Sequence, residues 1–462
     1  MKNVIFLSIL RWAAKRKLAR LHPKIIAVTG SVGKSTFLTL LEGIIYEKFK
    51  TRTTKKGNSE TGLPLEILGI RDELTDYRII TWIRVVLHAI VIGTFGDNDS
   101  YEVLIAEFGI DSPYPPKNMS YLLTLIPHPD IAVVLSVAPV HTEQFSVGLS
   151  PSDRNDESVI LERIAKEKML LAHAVTKNGT AIIQADSPLL MREVPHITGS
   201  VITVGNKSDA TFHIKEMNAT IKNGSSITFS HDKNEYHIIF PCIVLFPEAA
   251  STIVSVIAAA SVLNLPIKTS IDTIQSISRL PPGRFSILKG IKNTTIIDSS
   301  YNASPDSVKA ALLFLKTANQ KKGRRIAVLG DMRELGPIAK QKHEEIARVA
   351  SEVADHIVCV GEMMRKYFVP ELLRVGFDEK HINTFETADG VGIFIASSVR
   401  SDDIILVKGS QNTIFLETAV KELLKNKTDE HLLCRQSSYW ESVRKEFFSS
   451  HPNNHYDAKT HS

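Results

Sequence analysis

The residues Ile25-Ile-Ala-Val-Thr-Gly-Ser-Val-Gly-Lys-Ser-Thr36 decide the fold of the first half of the chain. The apolar run from Ile25 to Val28 predicts a buried parallel strand, because both faces of such a strand are covered. A turn bounded by two glycines ends the strand, and apolar residues then recur at helical spacing as far as Ile45. A strand, a glycine-rich turn and a helix in this order predict a phosphate-binding loop.

The chemistry of this loop follows from its backbone and from three polar side chains. The loop amides and the amino terminus of the helix offer N–H donors to an anion. Lys34 is placed to reach the outer phosphates, and the Ser35 hydroxyl to hold a magnesium ion. This loop lacks the first glycine of the usual phosphate-loop pattern, because Val28 stands at that position. We predict that nucleotide binding, rather than a structural turn, is the role of Thr29, Gly30, Ser31, Gly33, Lys34, Ser35 and Thr36.

Length and composition limit the classes of protein that fit the chain. Its 462 residues are too many for one core, so the length predicts two or three domains. The net charge of +5 is small, and no basic stripe with interleaved aromatic residues is present, so a nucleic-acid partner is not expected. The three cysteines are widely scattered and have no metal-binding spacing, which predicts reduced thiols and a cytoplasmic protein.

Alternating strand and helix patterns predict an α/β fold with two doubly wound units. Residues 210–241 instead alternate polar and apolar side chains, which predicts a small antiparallel subdomain beside the parallel sheet of a P-loop ATPase central domain. Two prolines and a glycine stop helical structure before Arg284, and a Rossmann-like carboxyl-terminal domain begins there. The predicted divisions are a basic amphipathic helix over 1–22, the ATP-binding domain over 23–280, the Rossmann-like domain over 281–427 and a polar tail over 428–462.

Two segments have some features of membrane-targeting or membrane-spanning sequences but lack others. Residues 1–21 mix apolar and basic side chains, which predicts a helix that either packs on the first domain or touches an anionic membrane surface. Residues 79–95 are apolar but are interrupted by Arg84 and His88, and the segment is too short and too polar at its centre to predict a membrane span.

Three further side chains are candidates for chemistry, each with a simpler alternative. Glu107 ends a predicted strand, where an acid beside a phosphate loop is either a metal ligand or a solvated carboxylate. His141 follows another predicted strand, and a lone histidine there is more often structural. Lys168 lies on a predicted helix, where a lysine normally belongs to the solvated face.

Taken together, these pieces resemble the Mur ligase family, in the branch that adds D-alanyl-D-alanine during peptidoglycan biosynthesis. The blocks that begin at Asp298 and Gly330 are specific to this branch, and the ordered spacing of all the matches carries the resemblance. The matches are Thr29 to Thr36, Gly62-Leu-Pro-Leu65, Ala106-Glu-Phe-Gly109, Pro139-Val-His141, Ala165-Lys-Glu-Lys168, Asn178-Gly-Thr180 with Ala185-Asp186, Pro282-Gly-Arg284, Asp298-Ser-Ser-Tyr-Asn-Ala-Ser-Pro-Asp306, Gly330-Asp-Met-Arg-Glu-Leu-Gly336 with His343, and Val407-Lys-Gly-Ser410.

The resemblance assigns roles to these residues. It implies that Lys34, Lys168 and His141 are catalytic, and that Lys168 is carbamylated and acts as a carboxylate toward a second magnesium ion. It implies magnesium binding by Ser35, Glu107, His141 and Lys168. It also implies that Arg284, Asp298, Asn302 and Asp331 contact the nucleotide at the cleft between the two domains, with Lys408 on the acceptor side.

The reaction that the resemblance implies is ATP-dependent amide formation. A carboxylate is activated as an acyl phosphate and then joined to an amine, with release of ADP and phosphate. The implied partners are small molecules: ATP, two magnesium ions, a muramoyl-peptide and D-alanyl-D-alanine. A monomer is expected, with peripheral membrane contact through residues 1–21 as a further possibility.

The chain departs from the family pattern at several places that bear on substrate recognition. Only about two dozen residues precede the phosphate loop, so the family's amino-terminal UDP-sugar domain is expected to be lacking. Changed positions are Ser136, Ser251, Thr252, Ser299 and Gln411. Two alternatives therefore stay open: another amide ligase of the folylpolyglutamate, glutamate or cyanophycin type, and a nucleotide-binding protein that has lost catalysis.

Overall fold

Two β-sheets, each covered by helices, organise the chain. The computed structural model describes residues 2–55, 57–70, 79–241, 243–276, 281–318, 323–411, 413–451 and 455–457. Residue 280, at the predicted domain boundary, and Cys242 lie outside these ranges. The α/β fold class predicted from the sequence, with its two doubly wound units, is confirmed.

The first sheet contains nine strands, in the order β2-β3-β1-β4-β5-β6-β7-β8-β9. The first seven strands in this order, from β2 to β7 and including β1, run parallel. Strands β8 and β9 continue the same sheet as antiparallel strands. The predicted antiparallel subdomain is thus one edge of the large sheet. The strands are β1 (Lys24–Thr29), β2 (Thr51–Thr53), β3 (Val103–Glu107), β4 (Ile131–Val134), β5 (Thr180–Gln184), β6 (Ser200–Gly205), β7 (Phe212–Thr220), β8 (Gly224–His231) and β9 (Asn234–Phe240).

Helices cover both faces of this sheet. One layer contains α2, which packs on α9, and the other contains α1, which packs on α3 and α4. The helices are α1 (Lys2–Leu21), α2 (Lys34–Ile45), α3 (Gly62–Leu68), α4 (Ile79–Phe95), α5 (Met119–Leu123), α6 (Thr142–Phe145), α7 (Glu157–His173), α8 (Pro188–Met191), α9 (Pro247–Val262) and α10 (Ile267–Gln275).

The second sheet contains seven strands, in the order β10-β11-β15-β12-β13-β14-β16. Its inner strands are parallel, and β10 and β16 form antiparallel edges. The strands are β10 (Ser286–Lys289), β11 (Thr295–Ser299), β12 (Arg325–Gly330), β13 (His356–Val360), β14 (Ile382–Phe385), β15 (Ile404–Lys408) and β16 (His455–Asp457). The helices are α11 (Pro305–Ala318), α12 (Ala339–Val353), α13 (Val369–Arg374), α14 (Val391–Ser398), α15 (Glu417–Leu423) and α16 (Ser438–Ser450).

Strand β1 lies at the centre of the first sheet, as its composition predicts. All of its residues except Lys24 are buried, and it pairs with β3 on one side and with β4 on the other. Val28 is paired with Glu107, and Thr29 with Val134. The carboxyl ends of these three strands therefore meet at one edge, where their loops form a common surface.

The segment after residue 427 contributes to packing in the second domain. The ring of Phe415 lies 5.5 Å from that of Phe447 on α16, and Arg435 pairs with the buried Glu417 at 2.8 Å. The polar composition of this segment did not predict helix α16, because its apolar contacts come from only a few aromatic residues.

Helix α1 packs on the first domain through polar anchors as well as apolar contacts. The Lys17 ammonium is buried and donates to Leu68 O at 3.2 Å and to Asp97 and Asp99 at 2.8 Å each. Among the described residues, no helix is both long enough and apolar enough to cross a membrane.

Candidate active site

A cleft of about 860 Å³ lies where the loops at the carboxyl ends of β1, β3 and β4 face the second domain. One wall contains the phosphate loop, Glu107, His141 and Lys168, and the other contains Arg284, Asn302 and Lys408. The topology therefore brings together residues that lie far apart in the sequence.

The phosphate loop is held by the segment after β4. The Val32 amide donates to Ser136 Oγ at 3.0 Å, and Ser31 Oγ accepts from the Ala138 amide at 2.9 Å. Gly33 has a φ of 91°, and a Cβ there would lie 2.3 Å from Thr252 Oγ1 on α9. A side chain at this position would strain the backbone and clash with α9, so glycine is required.

Lys34 begins α2 at the base of the cleft. Its ammonium donates to Gly30 O at 2.7 Å, which holds the side chain over the loop. Burial lowers the pKa of Lys34, the Glu107 carboxylate opposes that shift, and the Arg284 guanidinium adds to it. The lysine therefore lies among both positive and negative groups, and an incoming phosphate would supply it with a further anionic partner.

Glu107 is fixed by two donors on different elements. Its Oε2 accepts from Ser35 Oγ at 3.1 Å, and its Oε1 accepts from Asn58 Nδ2 at 2.9 Å. The side chain is 4 % exposed. The Ser35 hydroxyl and a nearly buried carboxylate form an oxygen-donor pair beside a phosphate loop, which is the kind of donor that Mg²⁺ prefers.

His141 joins the two domains. Its Nδ1 lies 2.7 Å from Glu334 Oε2 of the second domain, and its Nε2 lies 3.5 Å from Asp111 Oδ1. The hydrogen bond from His141 lowers the pKa of Glu334. The adjacent Thr142 Oγ1 donates to Leu335 O at 2.7 Å, so the same turn docks against the second domain through a hydroxyl as well.

Lys168 projects from α7 and is only 3 % exposed. Burial, reinforced by the nearby Lys34 ammonium, lowers its pKa to about 7. Among the described residues, none forms a hydrogen bond or an ion pair with its side chain. The simpler expectation of a solvated lysine is therefore wrong for Lys168, and it applies instead to Lys166, which is 61 % exposed and paired with Glu162.

Two of the residues predicted to contact the nucleotide line the cleft from the second domain. The guanidinium of Arg284 lies 4.3 Å from the centre of the Tyr301 ring. Asn302 Oδ1 accepts from the Ala303 amide at 2.9 Å, and Lys408 donates to Asn302 O at 2.9 Å. Burial lowers the pKa of Lys408 to about 7.

Three predicted nucleotide contacts lie behind the cleft wall instead. Thr29 Oγ1 donates to Phe108 O at 3.0 Å and so ties β1 to the loop after β3. Asp298 is fully buried, its Oδ1 accepts from the Ser300 amide at 3.0 Å, and burial raises its pKa. Asp331 accepts from the Met364 amide at 2.8 Å, and burial raises its pKa to about 6.

Several polar residues that line the cleft were not predicted, and three of them contact predicted site residues. Asn58 holds Glu107, Asp111 lies beside His141, and Glu334 completes the contact between the domains. Glu334 falls inside the block that begins at Gly330, which was recognised as a motif without a role for this residue. Asp111 follows Glu107 by four residues, and that proximity was the only signal for it in the sequence.

The described residues contain no cluster of three or more His, Cys, Asp or Glu side chains suited to a metal ion. The oxygen donors of Ser35 and Glu107 nevertheless fit magnesium, whereas His141 is engaged by Glu334 and Asp111. Lys168 would become an oxygen donor only after modification. Of the four predicted magnesium ligands, Ser35 and Glu107 therefore already lie together. His141 would have to leave its present partners, and Lys168 would have to be modified.

Comparison with protein families gives two matches, one within each domain. Residues 95–244 match the model of the Mur ligase middle domain, and residues 283–411 match that of the Mur ligase glutamate ligase domain. The first match includes Glu107, His141 and Lys168, and the second includes Arg284 and Glu334.

Individual proteins and solved structures that resemble this chain include ligases. The chain is similar to the UDP-N-acetylmuramoyl-tripeptide–D-alanyl-D-alanine ligase of Bacillus subtilis, with 22 % identity over 91 % of this chain and 80 % of the relative. The MurF ligase of Thermotoga maritima, solved with ADP, shares the fold with a TM-score of 0.69 and 22 % identity, over 95 % of this chain and 84 % of that one. A bifunctional folylpolyglutamate synthase/dihydrofolate synthase of Yersinia pestis also shares it, with a TM-score of 0.57 and 17 % identity, over 90 % and 94 % of the two chains.

Proposed function

Because this chain belongs to the Mur ligase family, whose members are ATP-dependent ligases that form amide bonds, we propose that it adds D-alanyl-D-alanine to a muramoyl-peptide in peptidoglycan biosynthesis. The specific substrates rest on the relatives that carry this activity in their names. We also propose that residues 23–280 and 281–427 are the two working domains of a monomer that acts in the cytoplasm.

One observation carries the proposal: a phosphate loop and a ligase domain face each other across a single cleft. The loop supplies Lys34, and the opposite wall supplies Arg284 and Asn302. A nucleotide between these walls would contact both domains. Closure around it would exclude water from a reactive intermediate.

The proposed reaction has two steps. A carboxylate oxygen of the acceptor attacks the γ-phosphorus of ATP, and the bond to the bridging oxygen breaks, which gives an acyl phosphate and ADP. The amine then attacks the acyl carbon, phosphate leaves, and the amine loses a proton. Lys34 stabilises the charge that accumulates on the phosphoryl oxygens. Magnesium, which Ser35 and Glu107 would hold, supplies further electrostatic stabilisation when it is bound.

We propose that Lys168 carries the carbamate of this site. An amine must be neutral to add carbon dioxide, and a pKa of about 7 leaves a large neutral fraction near neutral pH. Burial away from solvent protects the product, and no hydrogen bond among the described residues competes for the nitrogen. A carbamate would replace a cation beside Lys34 by an anion, which removes the repulsion between the two lysines.

The test is release of ADP by the purified protein with defined pairs of substrates. Muramoyl-tripeptide acceptors with D-alanyl-D-alanine should support turnover, and mass spectrometry should show a product extended by two residues. Folate with glutamate, and arginine-aspartate polymers, serve as comparison substrates. Turnover with one of these pairs alone would replace the proposed substrates by those of another amide ligase. The absence of turnover with any pair, together with intact ATP binding, would favour a nucleotide-binding protein without catalysis.

A further inference from the structure

Helix α4 presents an apolar face to solvent. Its exposed residues recur at helical spacing, so they lie on one side of the helix. They are Ile83, Leu87, Ile90, Val91 and Phe95, with exposed fractions from 37 % to 84 %. The opposite side, with Val85, Ala89 and Ile92, is buried against the rest of the domain. Arg84 and His88 are exposed beside these residues, so the face is mainly apolar with two polar interruptions. An apolar face of this size marks a contact surface, because isolated domains seldom expose one.

Helix α1 borders this face and adds both an aromatic ring and positive charge. Trp12 packs against Gly93, where a Cβ would lie 2.5 Å from its ring, yet the side chain remains 41 % exposed. Lys15, Arg16 and Arg20 of α1 are also exposed. Neither helix contains an aspartate or a glutamate. The outer surface of the pair is therefore apolar and cationic together.

The two helices are firmly joined, so the surface has a fixed shape. Arg20 donates to Ile92 O and to Gly93 O at the end of α4. The ring of Phe6 meets that of Trp82 at 4.3 Å, edge to face. The buried ammonium of Lys17 ties α1 to Asp97 and Asp99, which follow α4 in the chain.

We propose that the α1–α4 face, defined by the exposed apolar residues of α4 together with Trp12, Lys15, Arg16 and Arg20, docks the protein on an anionic phospholipid surface. Apolar side chains would enter the boundary between headgroups and acyl chains, and the cations would pair with the headgroups. Trp12 has the amphipathic ring that favours this boundary. The proposal deepens the predicted membrane contact of residues 1–21 by assigning the apolar part of the contact to α4.

A second copy of this chain fits the face less well than a bilayer does. A symmetric contact would bring the arginines and lysines of two copies together, and neither helix supplies an acid to balance them. An anionic bilayer can take up the apolar side chains of the face and also pair with its positive charges.

The face lies away from the cleft, so docking and catalysis are separable. Gly57 and Asn58 line the cleft just before α3, and Lys17 of α1 is bonded to Leu68 O at the far end of that helix. The seven residues of α3 span about 10 Å. Substitutions on the outer side of α4 should therefore leave ADP release unchanged, and the proposal does not depend on the identity of the substrates.

The experiment is co-sedimentation of the full chain with vesicles of phosphatidylcholine, with or without phosphatidylglycerol. We expect partitioning to be about tenfold stronger on the anionic vesicles and to fall at high salt. The double substitution Leu87→Glu with Val91→Glu should abolish it. The matched control Ile393→Glu changes a residue of α14 that is 65 % exposed, and it should have no effect. The double substitution Lys15→Glu with Arg16→Glu should remove the preference for anionic vesicles.

Three results would overturn the proposal. One is a wild-type protein that binds neither kind of vesicle. Another is equal binding of the wild type and the Leu87→Glu, Val91→Glu variant, with circular dichroism showing that both are folded. The third is sedimentation velocity showing a wild-type dimer that this variant converts to a monomer, because the face would then be an interface between copies.

Discussion

His141 of the first domain and Glu334 of the second form a hydrogen bond across the cleft, with Nδ1 and Oε2 2.7 Å apart. Each residue comes from a turn that follows a parallel strand, and Thr142 reinforces the contact through Leu335 O. A histidine in the position of a predicted metal ligand therefore holds the domains together in this structure. Binding of a ligand in the cleft would compete with, or rearrange, this pair.

Replacement of Glu334 by glutamine tests the role of the pair in domain closure. The amide keeps the size of the side chain but replaces the carboxylate that accepts the hydrogen bond from His141 by a neutral group. We expect kcat/KM for the amine to fall about tenfold, which corresponds to about 1.4 kcal/mol, while binding of ATP to the first domain changes little. Steady-state release of ADP at varied amine concentration measures the effect.

The matched control is Glu143→Gln, which removes an exposed carboxylate from the same contact region. An equal loss in both variants would show that net charge, and not the pair, matters. Because the pKa of Glu334 is lowered in the folded protein, its contribution to docking is present above the usual carboxyl range and is lost as the pH falls through the lowered value.

Lys34→Ala should abolish turnover of ATP and leave the fold intact. The side chain makes one bond to the loop carbonyl of Gly30, so its structural role is small, whereas the charge is needed at the outer phosphates. We expect kcat to fall by about 10²–10³. The control Lys48→Ala changes an exposed lysine just beyond α2 and should retain full activity. A folded Lys34→Ala protein that releases ADP at the normal rate would show that the loop does not serve phosphoryl transfer.

Carbamylation of Lys168 should increase as the pH rises from about 6 to 8, because the neutral amine that adds carbon dioxide becomes more abundant as the pH passes its pKa of about 7. The measurement is nuclear magnetic resonance with ¹³C-labelled bicarbonate. Lys168→Ala should lose at least about 10²-fold in activity and regain part of it with short carboxylic acids.

Lys166 provides the comparison on the same helix. Its hydrogen bond to Glu162 raises its pKa, so it should remain an ammonium, and Lys166→Ala should remain active. The carbamate hypothesis fails if the labelled signal persists in Lys168→Ala and disappears in Lys166→Ala.

Lys17→Ala should destabilise the first domain. The substitution leaves Leu68 O and two carboxylates without their shared donor, and a cavity replaces a buried side chain. Because both aspartates retain some access to water, we expect a loss of about 1–3 kcal/mol in the free energy of unfolding, measured with denaturant. Lys15→Ala, at an exposed position of the same helix, should change it by less than about 0.5 kcal/mol. Equal stability of the two variants would show that Lys17 is not an anchor of α1.

Sequence patterns predicted best those features that depend on near neighbours in the chain. The strand, turn and helix from Ile25 to Ile45 were predictable because their geometry is set within a few residues. The fold class followed from the same kind of alternation, and Lys168, to which the family resemblance gave a role, lines the cleft where its helical position alone favoured solvent. All of these agree with the structure.

Features that depend on tertiary packing were not predictable in this way. The pairing of His141 with Glu334 joins residues almost two hundred positions apart, and only the docking of the two domains brings them together. Asp298 lies near the carboxyl end of β11 and Asp331 directly follows β12, as a ligand-binding acid would, yet the backbone amides of Ser300 and Met364 donate to their carboxylates. Sequence pattern and spacing do not show whether such a carboxylate faces the cleft or the backbone amides behind it.

The central position of β1 also constrains how the chain can fold while it is being synthesised. β1 is made before its partners β3 and β4, which are complete only once Glu107 and Val134 have been added. Until then the apolar strand and its glycine turn have no sheet to enter, and such late, non-local pairing is slow and prone to aggregation. A chain stalled before residue 103 would expose these residues, so the phosphate loop marks a point at which the nascent protein would depend on the ribosome surface or a chaperone.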